Sequence, residues 1–273
     1  MMKKTDSDNE GRMPVLFVGH GSPMNMVQEN SYTRSLAALG RGLPRPEAIM
    51  VISAHWLTRG SFVTCAERPR MIYDLYGFPD ELYRVTYPCP GAPGPAQHVT
   101  EHEGAGGTIR CDTAWGFDHA SYAVLRHLFP AAGIPVFEMS LDYQFGDWHP
   151  KPIRFHFELG KKLRDLRDEG VLIIGSGNMV HNLRLIDPRT DAPVTGWAAE
   201  ADAWMRSRIA SGDNDALIDA MPRQDWASRA VPTLDHYLPM IYALALRDTG
   251  EPFAFTHEGF QNGSISMRGF RIG

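Results

Sequence analysis

Three histidines of the sequence follow apolar segments at the point where each segment ends. His20 lies between two glycines in FVGHGSPMN, His55 stands in ISAHW, and His181 stands in GSGNMVHN. A neutral imidazole is the commonest nitrogen ligand of a catalytic divalent metal, and open catalytic sites take three protein ligands plus water. A single histidine of this kind is more often a packing residue, but three in equivalent positions favour a metal site.

The segments that precede these histidines are typical of strands buried on both faces of a sheet. They cover residues 13–19, 46–56 and 170–178, and a fourth such segment covers 134–141. Helical patterns occupy the further segments 25–39, 119–129, 153–169, 194–211 and 235–247. Strands that alternate with helices predict a single α/β domain with a mainly parallel central sheet flanked by helices.

The carboxyl ends of parallel strands lie at one edge of a sheet, where open α/β proteins bind their ligands. We therefore expect His20, His55 and His181 to converge at that edge. Two more histidines open predicted helices that could return to the same place, His119 in WGFDHA and His236 in LDHYLP. The glycines on both sides of His20 are expected to remove bulk, so that a substrate has room beside this histidine.

Several neighbouring motifs favour structural roles. Asp118 and Asp235 directly precede two of the histidines, and helix N-capping is the better interpretation of both. GSGNMV at 175–180 lacks the final glycine of a dinucleotide fingerprint, so a nucleotide phosphate site is not expected. Ser22 and Ser176 lie near histidines but not on a recognisable nucleophile elbow, which disfavours a serine hydrolase.

Residues 59–118 are rich in proline, glycine and aromatic residues, and they predict a long excursion that could cover the site. Tyr73, Tyr76 and Tyr87 of this segment could stack on an aromatic substrate, although aromatics spaced in this way more often pack a loop onto its domain. The sequence EPFAFTHEGFQNGSISMRGF predicts one or two closing strands. These patterns assign no substrate-binding residue.

The chain of 273 residues is long enough for one large domain, which we place at 13–273 after a disordered polar segment at 1–12. A net charge of -5 with scattered lysines and arginines does not favour a nucleic-acid partner, so a small-molecule substrate is expected. Neither a signal peptide nor a membrane-spanning segment is predicted, which favours the cytoplasm. No apolar stripe indicates an oligomeric state.

The cysteines Cys65, Cys89 and Cys111 are odd in number and form no CxxC pair. This pattern predicts neither a disulfide framework nor a thiolate metal site. It also favours a reducing compartment.

Longer motifs occur along the chain in a fixed order: GHGSPMN, ISAHW, YDLYGFPDELY, GFDHASYAVLRHLFP, LIIGSGNMVHNL and GSISMRGF. From about residue 13 to the C-terminus the sequence resembles the 4,5-DOPA extradiol dioxygenase family. That family belongs to the class III extradiol ring-cleavage group, which includes the catalytic subunit of protocatechuate 4,5-dioxygenase. The resemblance implies a single-domain α/β enzyme that opens catechol rings with O2 and non-haem Fe(II), and that is often purified with zinc instead.

The resemblance also implies roles for individual histidines. The family's metal ligands match His20, His55 and His236, and the active-site histidine of the GSGN motif matches His181. His119 matches a second-sphere histidine of the substrate pocket. His236 stands where the protocatechuate enzymes have a glutamate, so the ligand set is all nitrogen, and His181 is expected to be able to approach zinc as a fourth ligand.

The implied chemistry requires a proton acceptor and donor beside the metal. We assign His181 to this role, because a histidine with a pKa near the working pH can take the catechol proton and later return it. His119 would orient the substrate oxygen or stabilise bound oxygen, and the product would be a muconic semialdehyde. Two other hypotheses are a zinc-dependent hydrolase with the same histidines and a non-catalytic metal or small-ligand binding protein. Dependence on O2 discriminates the dioxygenase from the hydrolase.

Overall fold

A nine-stranded sheet lies at the centre of the protein in the computed structural model. The structure describes residues 11–101, 108–144, 149–150 and 152–273, with only the backbone described at 144, 149 and 150. The strands are β1 (Val15–Gly19), β2 (Ala48–Thr58), β3 (Ser61–Thr64), β4 (Ile109–Asp112), β5 (Val136–Gln144), β6 (His149–Pro150), β7 (Val171–Gly177), β8 (Phe253–His257), β9 (Phe260–Gln261), β10 (Ile265–Ser266) and β11 (Gly269–Ile272).

The middle of the sheet is parallel, and an antiparallel pair joins the outer strands to it on each side, β3 with β5 and β11 with β1. The strand order is β4-β3-β5-β2-β7-β1-β11-β8, with β6 paired to β5, and β9 and β10 form a separate pair. Strands β5, β2, β7 and β1 run parallel, whereas β11 pairs antiparallel with both β1 and β8. The predicted fold class and the four predicted strands are confirmed, and the predicted closing strands are β8 to β11.

Helices cover both faces of the sheet. They are α1 (Ser31–Arg41), α2 (Pro93–Glu101), α3 (His119–Leu128), α4 (Ile153–Lys161), α5 (Gly196–Ser211), α6 (Ala227–Ala230) and α7 (Leu238–Ala245). Alternate residues of β1 enter two different hydrophobic cores, since Val15 and Phe17 pack on the side of α4, α5 and α7 while Leu16 and Val18 pack on the side of α1 and α3. The central strands are therefore apolar on both faces, as a covered parallel sheet requires.

Some helix boundaries differ from the periodic patterns. The segment predicted to be helical from residue 25 first forms a 3-10 turn at Pro23–Met26, and α1 begins only at Ser31 because Asn30 caps it in a reciprocal pair with Thr33. The segment predicted at 153–169 ends as a helix at Lys161 and continues as a 3-10 turn at Arg164–Arg167.

The excursion at 59–118 is more regular than its composition predicts, because it adds β3 and β4 to one side of the sheet and carries α2. The prediction of no disulfide is wrong, since Cys65 and Cys111 are bonded at an S–S distance of 2.09 Å. Parallel pairing of β3 with β4 brings the α-carbons of the two cysteines to 5.8 Å, within the range that a disulfide spans. The cysteines are 46 residues apart in the sequence. Cys89 is a free, buried thiol.

Residues 1–10 of the segment predicted to be disordered lie outside the described residues. Arg12, from the same segment, lies 3.1 Å from the carboxylate of Asp168 and also pairs with Asp248. No helix in the described ranges combines the length and apolar character needed to cross a bilayer.

Candidate active site

Five histidines meet at the carboxyl edge of the parallel strands. His20, His55 and His236 offer ring nitrogens that all lie within 4.8 Å of one another. The centroid of the His119 ring lies 4.0 Å from that of His55, and the His181 ring stacks on His236 with centroids 3.6 Å apart and planes at 8°. The structure thus brings together all five histidines that the sequence singles out.

The sheet positions these histidines directly or through one turn. His20 follows the last residue of β1, whereas His55 lies inside β2, which continues to Thr58 beyond its predicted end. His181 lies four residues beyond β7, and its backbone N–H donates to the carbonyl of Ala230 at 2.8 Å. His236 precedes α7, and its carbonyl accepts the N–H of Asn178 at 2.9 Å.

The glycines of the GSGN segment allow the chain before α7 to lie against β7. A Cβ atom on Gly175 would lie 2.2 Å from the carbonyl oxygen of Pro239, and one on Gly177 would lie 2.3 Å from that of His236. Both distances are too short for any side chain. The motif therefore packs two backbones together.

The glycines beside His20 serve packing in the same way, rather than the open space expected from the sequence. A Cβ atom on Gly19 would lie 3.0 Å from backbone atoms of Ser266 and Met267. Gly21 has a φ of +61°, and a Cβ atom there would lie 2.5 Å from the side chain of Met267. The two glycines therefore let the C-terminal segment pack closely against the turn that carries His20.

Each of the three clustered histidines has an oxygen beside its Nδ1 atom. Ser176 Oγ lies 3.1 Å from His20 Nδ1 and donates its own proton to the carbonyl of Ala120 at 2.7 Å, so it accepts from the imidazole. Asp235 Oδ2 accepts from His236 Nδ1 at 2.7 Å. An acceptor at Nδ1 places the proton there and leaves the lone pair of a neutral imidazole on Nε2.

The Nδ1 atom of His55 has a carboxylate oxygen of Asp74 at 3.3 Å, a longer contact than those of the other two rings and not a hydrogen bond. The Nε2 atoms of His20 and His55 face each other at 3.3 Å. Two nitrogens bound tetrahedrally to one ion at about 2.0–2.1 Å would be about 3.3 Å apart. The donor set therefore fits a divalent cation between the rings, and imidazoles suit both iron and zinc.

Electrostatics favour the neutral form of these imidazoles. Burial, followed by the charge of His236, holds the pKa of His20 well below its usual range, and burial together with His119 does the same to the pKa of His55. Burial and then His236 lower the pKa of His181 well below its usual value, contrary to the value near the working pH expected from the sequence. Neutral imidazoles are the protonation state that metal binding requires.

The two aspartates predicted to be N-caps behave differently. Asp118 caps α3 by accepting the N–H of Ala120 at 3.0 Å, as predicted, and burial followed by the charge of Asp74 raises its pKa to about 6. The prediction for Asp235 is wrong, because α7 starts after Tyr237 and the carboxylate turns back to His236. Burial alone would raise the pKa of Asp235, but the hydrogen bond from His236 holds it well below the usual range.

A cavity of about 470 Å³ opens onto the histidines. Its wall contains Gly21, Ser22, Pro23 and Met24 from the turn after β1, Asp74, Tyr76 and Phe78 from the excursion, Leu183, Ile186, Pro188 and Thr190 from the segment after His181, and Asn262 and Ile265. Tyr76 therefore lines the pocket. Tyr73 and Tyr87 instead donate hydrogen bonds to the carbonyls of Val85 and Phe129, at 2.8 Å and 2.9 Å, and pack the loop.

The family model of the catalytic LigB subunit of aromatic ring-opening dioxygenase matches residues 15–267. The chain belongs to the LigB family. It is 42% identical over 265 residues to a 4,5-DOPA dioxygenase extradiol of Escherichia coli (strain K12), covering 96% of this chain and 95% of that protein. A 4,5-DOPA dioxygenase extradiol of Beta vulgaris is 29% identical over 263 residues, covering 94% of this chain and 96% of that protein.

The structure of this LigB-family protein is also similar to the crystal structure of the uncharacterized protein JW3007 from Escherichia coli K12. The TM-score is 0.81 at 39% sequence identity, with 96% of this chain and 100% of that chain covered. The resemblance found in the sequence motifs is confirmed, and the protein is an extradiol dioxygenase. The roles assigned to individual histidines stay predictions.

Two residues of the LigB-family site were not predicted from the sequence. Asp74 contacts His55 and His119, although the YDLYGFPDELY motif that contains it was recognised only as part of the resemblance. The sequence places Asp235 beside His236 but favours a helix N-cap, so the contact with the imidazole was not expected. The signal that could have identified Asp235 is its position next to a candidate metal ligand, because carboxylates commonly orient ligating imidazoles.

Proposed function

We propose that this enzyme opens the ring of a DOPA-like catechol by extradiol cleavage, with Fe(II) as its metal and O2 as its co-substrate. In this reaction the carbon–carbon bond beside the two hydroxylated carbons breaks, and both atoms of O2 enter a muconic semialdehyde. The observation that carries the proposal is the convergence of three imidazoles, each with an oxygen within 3.3 Å of its Nδ1 atom, at the base of the pocket. The printed names of the relatives support the substrate class.

His20, His55 and His236 would hold the metal through Nε2. A ferrous ion there would supply the redox chemistry that lets an aromatic ring react with O2. An ion held by three protein ligands would keep room for exchangeable groups. We further propose that residues 13–273 form one catalytic domain, since both cores of the sheet contribute to holding this cluster.

His181 lines the pocket beside the proposed metal ligands. Its ring lies flat on that of His236, so a substrate hydroxyl near the metal centre would lie beside a ring nitrogen of His181. We propose that this nitrogen removes a proton from the catechol and returns it later in the reaction. General acid–base catalysis of this kind typically contributes about 10²- to 10⁴-fold to the rate. With zinc in the site, the proposal also includes His181 as a fourth ligand.

His119 is proposed to hold the substrate rather than the metal. Its Nδ1 atom is 2.8 Å from Asp74 Oδ2, which leaves Nε2 as the ring atom that can hydrogen-bond a substrate oxygen. Helix α3 begins at this residue and fixes its backbone. His119 would therefore orient the ring while His181 moves the proton.

The pocket has room for a catechol that carries a substituent. A cavity of about 150 Å³ holds one benzene ring, and this cavity is about 470 Å³. Its outer wall contains the apolar side chains of Phe78, Leu183 and Ile186. A substituent on the ring would lie against them.

The experiment that tests the proposal is anaerobic loading of the protein with Fe(II), followed by oxygen-electrode and absorbance traces with L-DOPA and other catechols. Zn(II)-loaded protein is the control. Oxygen uptake with a new yellow absorption band, seen only with iron, supports extradiol cleavage and ranks the catechols. No uptake from protein shown to hold iron would overturn the proposal, and turnover of an ester or amide by the zinc form would indicate the hydrolase instead.

A further inference from the structure

We propose that Asp74 is a positioning residue that orients a metal-site histidine and a substrate-site histidine at the same time. The inference rests on the proposed function, because it assigns His55 to the metal and His119 to the substrate. Asp74 belongs to the excursion at 59–118, whereas His55 belongs to β2 and His119 to α3. Its carboxylate lies between the two rings.

Both oxygens of the Asp74 carboxylate are used. Oδ2 lies 2.8 Å from Nδ1 of His119 and 3.3 Å from Nδ1 of His55. Oδ1 accepts the backbone N–H of His119 at 2.9 Å. The side chain of Asp74 is 21% exposed, so it stands at the boundary between the cluster and the pocket that it lines.

A single carboxylate oxygen that faces two Nδ1 atoms favours a proton on each of them. The lone pair of His55 is then on Nε2, facing Nε2 of His20, and the lone pair of His119 is on the nitrogen left for a substrate. If the proton of either ring moved to Nε2, that ring would lose its metal-binding or substrate-binding atom. Asp74 therefore sets the working tautomer at both places.

An amide cannot replace this carboxylate. Asparagine has one acceptor oxygen and an NH2 group that only donates. If its oxygen faced the two Nδ1 atoms, its NH2 group would face the N–H of His119, and in the opposite orientation the NH2 group would face both rings. Each orientation places donors against donors, and the negative charge is lost in both.

Asp74 also joins the pocket wall to the metal centre. Tyr76 and Phe78, which follow it by two and four residues, line the pocket. The other acceptors at Nδ1, Ser176 and Asp235, come from β7 and from the residue next to His236. Asp74 is therefore a contact between the loop that lines the pocket and the two histidines His55 and His119.

The test is Zn(II) affinity of the full-length protein, measured by competition with a chelator, for Asp74→Asn, Asp74→Glu and Asp80→Asn. Asp80 is an exposed aspartate of the same loop and serves as the matched control for lost charge. Asp74→Asn is expected to weaken zinc binding by about 10- to 100-fold, the usual effect of removing a carboxylate that orients a ligating histidine. Asp80→Asn should stay within about twofold, and Asp74→Glu should retain more affinity than Asp74→Asn because it keeps two acceptor oxygens.

A second readout follows the tautomers themselves. Long-range proton–nitrogen NMR spectra of the metal-free protein should show Nδ1–H for His55 and His119, and Nε2–H for at least one of them in Asp74→Asn. Unchanged affinity with unchanged tautomers in Asp74→Asn, or equal losses in Asp74→Asn and Asp74→Glu, would overturn the inference. Neither readout needs turnover, so failure of the wild-type enzyme to consume O2 would refute the proposed function and leave this test interpretable.

Discussion

The base of the pocket and its rim are held in the protein in different ways. The base is attached to strands with fully buried residues, such as Phe17 of β1 and Ile173 of β7, and its ring nitrogens have partners inside the protein. The rim consists of side chains that solvent reaches, since Tyr76 is 95% exposed and Leu183 is 64% exposed. We infer that changes at the base alter metal binding and chemistry, while changes at the rim alter substrate affinity alone.

The largest expected effect is loss of a histidine from the base. His20→Ala should abolish tight metal binding and catechol turnover together, because only two of the three imidazole ligands would remain. Metal content after dialysis and oxygen uptake check this. His98→Ala, at a histidine that is 42% exposed on α2, is the control and should keep both. A His20→Ala protein with a full complement of iron and normal activity would show that His20 is not a ligand.

The next effect separates chemistry from metal binding within the base. His181→Ala should lower kcat by about 10²- to 10⁴-fold, the range for loss of a general acid–base group. Its iron content should stay near the wild-type value, since the proposed iron ligands are His20, His55 and His236. Steady-state oxygen uptake together with metal analysis measures both quantities. An unchanged kcat would remove His181 from the proton-transfer role.

A smaller effect is expected where the base depends on backbone packing. Gly177→Ala would place a Cβ atom 2.3 Å from the carbonyl oxygen of His236, so the segment before α7 must move. Forcing an extra methyl group into a packed region costs about 1–3 kcal/mol. The free energy of unfolding, measured with urea, and the affinity for zinc should both fall. Gly196→Ala is the matched control, because nothing lies within 4 Å of the Cβ position there; similar losses in the two variants would contradict the packing argument.

The smallest effect is expected at the rim. Leu183→Ala should raise KM for substituted catechols by about two- to fivefold, since it removes part of an apolar contact worth about 1 kcal/mol. The same variant should leave kcat and metal affinity unchanged. Leu185→Ala, at an exposed leucine outside the pocket wall, is the control. A fall in kcat with no change in KM for Leu183→Ala would remove the distinction between rim and base.

The base could be predicted from the sequence because its geometry follows from local rules. A histidine at the end of an apolar segment is expected near the carboxyl end of a strand, and parallel strands bring such ends together; His20 directly follows β1, and His55 lies three residues before the end of β2. Asp118 was also predictable, since N-capping needs only the residue before a helix. These inferences needed no knowledge of how distant segments pack.

The remaining features depend on the path of long segments. Asp74 reaches His55 and His119 only because the excursion at 59–118 folds back over the sheet edge, which no periodic pattern in that segment indicates. The bond between Cys65 and Cys111 depends on pairing of β3 with β4, and the contact of Asp235 with His236 depends on where α7 starts. Each of these features depends on a contact between segments, and the local sequence pattern does not indicate that contact.

The measurement that tests the central claim most directly is the stoichiometry of the reaction in Fe(II)-loaded protein. Oxygen consumption and the mass of the product are followed together during complete conversion of a limiting amount of L-DOPA, or of the catechol ranked first. We predict one O2 consumed for each catechol and a ring-opened product heavier than the substrate by the mass of one O2 molecule, less one water where the amine of L-DOPA condenses with a new carbonyl group. Conversion without O2 uptake, or a product that contains no atom of O2, would contradict the account.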